Sequence, residues 1–289
     1  MNKTKTLTMK TIKLLAFALF FISSFSITAQ QDNPFKVEVI GKGEPILLFP
    51  GFACTGDVWE ASVAELSKDY ECHVFTFAGF GDVPAIEKPW LPKIKDELIK
   101  YISSNKLDNA VLLGHSLGGA LALWMATENS ALKELIIVDA LPSTGALMMP
   151  NFKSEYMVYD SPYNKKVLGM NDKDFESMVS QMASGMALDA SNQEIIKDWM
   201  IKADRETYVY GYTDLLKLDL RNDLSKIDIP VTILAATEPY GIEMAKTTYN
   251  SQYKTLKEYN LEFAMGSSHF IMFDQPDWFI ENVLKALED

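Results

Sequence analysis

The chain has 289 residues, 48 % of them hydrophobic and 23 % charged, which suits one large globular domain carrying an insertion. Its formal net charge of −12 argues against nucleic acid and anionic membrane surfaces as partners, and favours neutral or weakly charged small molecules. Residues 1–29 have the layout of a secretory signal: Lys3, Lys5, Lys10 and Lys13 precede the apolar run Leu14 to Ile22, and a small, polar stretch ends in Ser26-Ile27-Thr28-Ala29. The apolar run is too short to span a bilayer comfortably, so no stable membrane anchor is expected. Cleavage after Ala29 is expected to leave residues 30–289 in a periplasm or outside the cell. It would remove four lysines and no acid, taking the charge from −12 to about −16.

Phe35 to Ile40 alternates and predicts a short first strand, ended by the turn Gly41-Lys42-Gly43. Pro45 to Phe49 is a buried strand leading into Pro50-Gly51-Phe52-Ala53, and Asp57 to Leu66 has helical spacing. Cys72 to Phe77 predicts the next strand, closed by Ala78-Gly79-Phe80-Gly81. An amphipathic helix follows over Leu91 to Ile102, then a strand over Ala110 to Gly114, a helix over Leu117 to Thr127 and a strand over Glu134 to Val138. From about 141 to 221 no regular strand appears and helical patterns dominate. Strand and helix then alternate again, over Val231 to Ala235, Ile242 to Tyr253, Tyr259 to Ala264 and Pro276 to Leu287. Apolar strands alternating with helices indicate an α/β fold, a mostly parallel sheet covered by helices on both faces. The segment 141–221 reads as a helical cap inserted into that core.

Gly114-His115-Ser116-Leu117-Gly118 falls between a strand and a helix, the context that makes such a pattern a nucleophile elbow. The turn tolerates almost no side chain beside Ser116, and the helix N-terminus behind it offers N–H groups to a developing oxyanion. A serine hydroxyl needs a base, and the chain has three histidines. His73 starts a buried strand and His115 sits inside the elbow facing another way. His269 follows the last strand, at the end of the sheet where ligands bind in open α/β folds. His269 is therefore the candidate base. The three histidines do not sit at metal-ligand spacing, so no metal is expected, and an acyl-enzyme route on a serine requires no organic cofactor. Cys54 and Cys72 do not make a disulfide framework; whether they pair is open, and neither is a candidate nucleophile.

The order of elbow serine, strand-end acid and histidine before a closing helix resembles the α/β-hydrolase superfamily. Pro50-Gly51-Phe52 is similar to its oxyanion loop, Ala78-Gly79-Phe80-Gly81 to its glycine turn, and His269 with Gln275-Pro276-Asp277 and Phe279 to its closing segment. The resemblance implies an oxyanion hole made by the backbone N–H groups of Phe52 and Leu117. The family usually takes its acid from the loop that here reads Ala236-Thr237-Glu238-Pro239, where no aspartate is present. A branch of small serine esterases carries Asp-x-x-Pro after the preceding strand instead, matched here by Asp139-Ala140-Leu141-Pro142. Asp139 is the favoured third member and Glu238 the alternative.

The cap segment holds eight of the fourteen methionines, interleaved with aromatics, a composition that packs an irregular helical layer and also lines an adaptable apolar cleft. The expected function is a secreted serine hydrolase cleaving carboxylic esters of apolar small molecules through an acyl-enzyme on Ser116. The alternatives are an amidase, lactonase or thioesterase of the same fold, or a non-catalytic protein that binds an apolar ligand.

Overall fold

The structure, a computed structural model, describes residues 34–128, 131–149 and 151–288. The expected signal segment lies outside these residues. Seven strands form one sheet: β1 (Phe35–Gly41), β2 (Glu44–Phe49), β3 (Tyr70–Phe77), β4 (Val111–His115), β5 (Glu134–Val138), β6 (Val231–Ala236) and β7 (Asn260–Ala264). Their spatial order is β1-β3-β2-β4-β5-β6-β7. β1 runs antiparallel to β3, and the other neighbours are parallel. β4, β5 and β6 are buried at every position, which fits their near-continuous apolar runs in a sheet covered by helices on both faces. β1 is largely exposed and lies at the edge, which explains its polar alternation.

The turn between β1 and β2 depends on glycine. A Cβ at Gly43 (φ 136°) would stand 2.1 Å from the Asp69 carbonyl oxygen, and one at Gly41 (φ 87°) 2.3 Å from that of Tyr70. The turn thus runs against the backbone leading into β3, and no side chain fits between.

Helices α1 (Glu60–Leu66), α2 (Trp90–Asn105) and α3 (Leu117–Glu128) link β2 through β5. Between β5 and β6 come α4 (Thr144–Met148), α5 (Pro162–Leu168), α6 (Asp172–Ala183), α7 (Ala190–Lys202) and α8 (Arg205–Lys217), with no strand among the described residues of this segment. After β6 come α9 (Ile242–Gln252), then, beyond β7, α10 (Ile271–Asp274) and α11 (Pro276–Glu288). Among the described residues, no helix is long and apolar enough to cross a membrane. The helix expected from Asp57 begins later: Gly56–Trp59 is a tight 3₁₀ turn in which the Thr55 hydroxyl accepts from the Asp57 N–H and the Thr76 hydroxyl from the Gly56 N–H, and α1 starts at Glu60.

From β2 the chain steps outward to β3, then crosses back to β4 on the other side of β2. The carboxyl ends of β2 and β4 flank this switch point, which is where a crevice opens in such sheets.

Among the contacts that tie the inserted helices to the core, two are made by carboxylates. On one side, Asp214 of α8 accepts hydrogen bonds from the Trp90 and Leu91 N–H groups at 2.6 and 3.1 Å. The residue preceding α2 is Pro89, which has no capping side chain, so a carboxylate from the cap does that work. On the other side, the Asp274 carboxylate accepts from Leu188 N–H in the cap and from Ser268 N–H beside His269, each at 2.8 Å. Cys54 and Cys72 are both free and buried. Burial raises both thiols above their ordinary range, Cys72 to about 11, so both remain protonated and inert at neutral pH.

Candidate active site

The elbow is built by backbone contacts that leave no room for a Cβ. One added at Gly118 would lie 2.3 Å from the Phe49 carbonyl oxygen, and one at Gly114 would lie 2.4 Å from that of Gly118. Glycine at both positions lets α3 start directly against the end of β2. Ser116 is held at φ 53°, the left-handed region that costs a non-glycine residue on the order of 1–3 kcal/mol. What retains it there is the sheet: the Ser116 N–H donates to the Val138 carbonyl oxygen at 2.9 Å, prolonging the β4–β5 ladder. Asp139 repeats the device one strand further on. It sits at φ 42°, and its N–H donates to the Leu234 carbonyl oxygen at 2.8 Å.

The structure brings Asp139 and His269 together. The His269 Nδ1–H donates to Asp139 Oδ2 at 2.6 Å. Oδ1 of the same carboxylate accepts from the Tyr249 hydroxyl at 2.7 Å and from the Ala236 N–H at 2.8 Å. Burial pushes this carboxyl up more than any other single influence. The His269 hydrogen bond and charge, the Ala236 N–H and the Tyr249 hydroxyl together outweigh it and hold the group below its ordinary value. Asp139 is therefore an anion with both oxygens occupied, aimed at one ring nitrogen.

Glu238 has a different place. Its N–H donates to the Ser267 carbonyl oxygen at 2.9 Å, while its exposed carboxylate takes no hydrogen bond or ion pair among the described residues. His73 is remote from the site, its nitrogens 2.7 Å from the Tyr101 hydroxyl and 2.9 Å from the Glu71 carboxylate. His115 is fully buried, with its ring centroid 4.6 Å from that of His269. Its Nε2 lies 3.0 Å from the His269 carbonyl oxygen, and a carbonyl only accepts, so Nε2 carries the proton.

Ser116, His269, Asp139 and Phe52 open onto one cavity of about 740 Å³ between the sheet and the inserted helices. Four of the cap methionines, Met148, Met182, Met186 and Met200, line it with Tyr163, Tyr208 and Tyr212. Phe52 packs edge-on against Phe80 and tilts against Tyr208 and Tyr212, so the loop after β2 is braced by the cap. Leu117 opens α3, so its N–H has no partner within the helix. Outside the regular elements, no backbone acceptor among the described residues takes the Phe52 N–H. Phe52 lines the same cavity as Ser116, and Leu117 follows Ser116 in the chain. Among the described residues, no three His, Cys, Asp or Glu side chains gather as metal ligands would.

Tyr249, Asp274 and the His115 contact are absent from the sequence reading. Tyr249 reaches Asp139 across 110 residues and His115 reaches His269 across 154, and no local pattern signals either pairing.

The chain belongs to the alpha/beta hydrolase family, whose sequence profile matches residues 46–282. It is 23 % identical over 198 residues to the pimeloyl-(acyl-carrier protein) methyl ester esterase of Vibrio cholerae serotype O1, covering 67 % of this chain and 75 % of that one. It is 22 % identical over 269 residues to 3-oxoadipate enol-lactonase 1 of Acinetobacter baylyi, covering 90 % of this chain and 95 % of that one. The esterase EaEST from Exiguobacterium antarcticum shares the fold with a TM-score of 0.73 at 19 % identity, over 88 % of this chain and 96 % of that one.

Proposed function

We propose that this hydrolase is an exported serine esterase that cleaves carboxylic esters of apolar small molecules through an acyl-enzyme on Ser116. The observation that carries the reading is the 2.6 Å bond from His269 Nδ1 to Asp139, in the same cavity as a serine held in the left-handed conformation. With Nδ1–H directed at the carboxylate, Nε2 is the basic nitrogen of His269 and takes the Ser116 proton as Oγ attacks the ester carbonyl. The N–H groups of Phe52 and Leu117 receive the charge that develops on the carbonyl oxygen. Nε2 then returns the proton to the departing alcohol, water enters, and the same sequence in reverse releases the acid. Asp139 holds the tautomer and offsets the imidazolium charge, and Tyr249 and Ala236 hold Asp139.

A lactone is a cyclic ester and meets the same machinery. The similarity to an enol-lactonase over 90 % of the chain supports a lactonase as the second reading. The cavity wall of methionine and tyrosine supports an apolar body in the substrate over a densely polar one. Export rests on residues 1–29, and N-terminal sequencing of protein recovered from the host's periplasm or medium tests it, with Gln30 expected first.

The deciding assay is hydrolysis of p-nitrophenyl esters from acetate to long acyl chains, beside a set of lactones, with wild type and Ser116→Ala. Ester turnover lost in the variant is the expected result. Turnover that survives the substitution removes Ser116 from the mechanism, and activity confined to lactones selects the second reading.

A further inference from the structure

Resting on the ester-hydrolase reading above, we infer that the site selects its substrates by the sign of their charge, with Glu238 supplying the attraction for a cationic tail and a cavity wall without a cation rejecting an anionic one. It accepts esters with a neutral or ammonium-bearing tail and rejects those carrying a free carboxylate.

The cavity contains no lysine or arginine among its described lining residues. Its acidic side chains are Asp139 and Glu238. Asp139 is saturated by His269, Tyr249 and Ala236, so its charge is committed within the protein. Glu238 is exposed at the cavity and its carboxylate has no partner among the described residues. Of the lysines on the elements that form the cavity, Lys165 pairs with Asp160, Lys246 with Glu243 and Lys217 lies over the Tyr159 ring, while Lys166 and Lys202 are exposed and none of the five lines the cavity. Two residues from Glu238 stands Tyr240, 80 % exposed, and Tyr163 of the cap is 61 % exposed; both line the same cavity. Exposed tyrosine rings that share a cavity with an unpaired carboxylate offer an ammonium group a π face as well as a counter-charge.

A carboxylate-bearing tail meets the opposite situation. It loses water on entering a wall of methionine and aromatic side chains, finds no cation there, and approaches Glu238. The two effects differ in size. Glu238 is exposed, so its attraction for an ammonium group is screened and amounts to about fivefold. The unpaired carboxylate loses solvation as well, which makes its penalty the larger of the two, about tenfold or more. The net charge of −12 adds a long-range bias of the same sign at low salt.

The test compares kcat/KM for three p-nitrophenyl esters of similar length: hexanoate, 6-(trimethylammonio)hexanoate and the monoester of adipic acid. Wild type is expected to prefer the ammonium ester over the neutral one about fivefold and to disfavour the carboxylate ester about tenfold or more. The ammonium preference should shrink as ionic strength rises. In Glu238→Gln the ammonium-to-neutral ratio should fall to near one, and in Glu238→Lys the carboxylate ester should overtake the ammonium ester. Equal turnover of the neutral and carboxylate esters by wild type would overturn the inference, as would an ammonium preference that persists in Glu238→Gln. Failure to hydrolyse any of the three, with the fold verified by circular dichroism, overturns the ester reading itself and this inference with it.

Discussion

The Nε2–H of His115 donates to the carbonyl oxygen of His269 at 3.0 Å, joining the residue before the elbow serine to the main chain of the loop that carries the base. Nδ1 of the same ring has no partner among the described residues. It faces Gly51, where an added Cβ would stand 2.7 Å away. The imidazole is neutral: burial above all, and then the neighbouring His269, lower it from 6.5 to about 3. A charged ring would place a second proton at Nδ1 with nothing to receive it.

That depression makes folding stability depend on pH with a definite sign. Between about 3 and 6.5 the unfolded chain binds a proton at residue 115 and the native protein does not, so stability falls as the pH is lowered through this window. The slope from this one group is at most about 1.4 kcal/mol per pH unit. His115→Gln keeps an N–H donor near the position of Nε2 and cannot titrate. Urea denaturation at pH 7, 6, 5 and 4 should show a shallower acid decline in the variant than in wild type. Parallel declines would contradict the assignment.

Asp139 and Glu238 end adjacent strands, yet their substitutions should differ sharply. Asp139→Asn is expected to lower kcat on a neutral ester by up to ~10⁴-fold, because the amide no longer fixes the imidazole tautomer. Tyr249→Phe removes one donor from Oδ1 while leaving the His269 bond in place, so a smaller loss is expected, about ten- to a hundredfold in kcat. Glu238→Gln should change kcat on the neutral ester far less than Asp139→Asn does. Steady-state kinetics on p-nitrophenyl hexanoate separates the three, and a loss in Glu238→Gln matching that in Asp139→Asn would transfer the role to Glu238.

Asp274 joins the cap to the histidine loop through two backbone N–H groups. In Asp274→Ala both donors lose their acceptor, with an expected cost of about 1–3 kcal/mol in urea denaturation. The activity loss should appear in kcat more than in KM, since the displaced element carries His269. Asp274→Asn, which keeps one carbonyl acceptor, should recover part of both. An alanine variant with wild-type stability and kcat would show that the cap contact at Leu188 and the bond to Ser268 are incidental.

Much of the architecture can be read along the chain. Near-continuous apolar runs announced β4, β5 and β6, because a strand covered on both faces draws mostly on apolar side chains. The loss of that period between about 141 and 221 marked the cap. The elbow was equally plain, since the strand-to-helix change is local and Gly114 meets the backbone of Gly118 just ahead of it, although the contact of Gly118 with Phe49 comes from another strand. Scarcity did the rest: with three histidines in the chain, one at a strand end stood out.

The partners of these residues are another matter. Asp139 and Glu238 both follow strands that end on the same side of the sheet; the resemblance of Asp139-Ala140-Leu141-Pro142 to the Asp-x-x-Pro of one family branch favours Asp139 but says nothing of what its carboxylate meets. Asp139 meets His269 because the β5–β6 ladder continues through its N–H and holds φ at 42°, bringing its carboxylate to the imidazole across 130 residues. Tyr249, Asp274 and Asp214 lie in helices whose spacing reports an amphipathic face and nothing of what a hydroxyl or carboxylate meets on the far side. Periodicity records which way a side chain faces within its own element, whereas a hydrogen bond needs two elements at about 3 Å, and that distance is set when the elements pack.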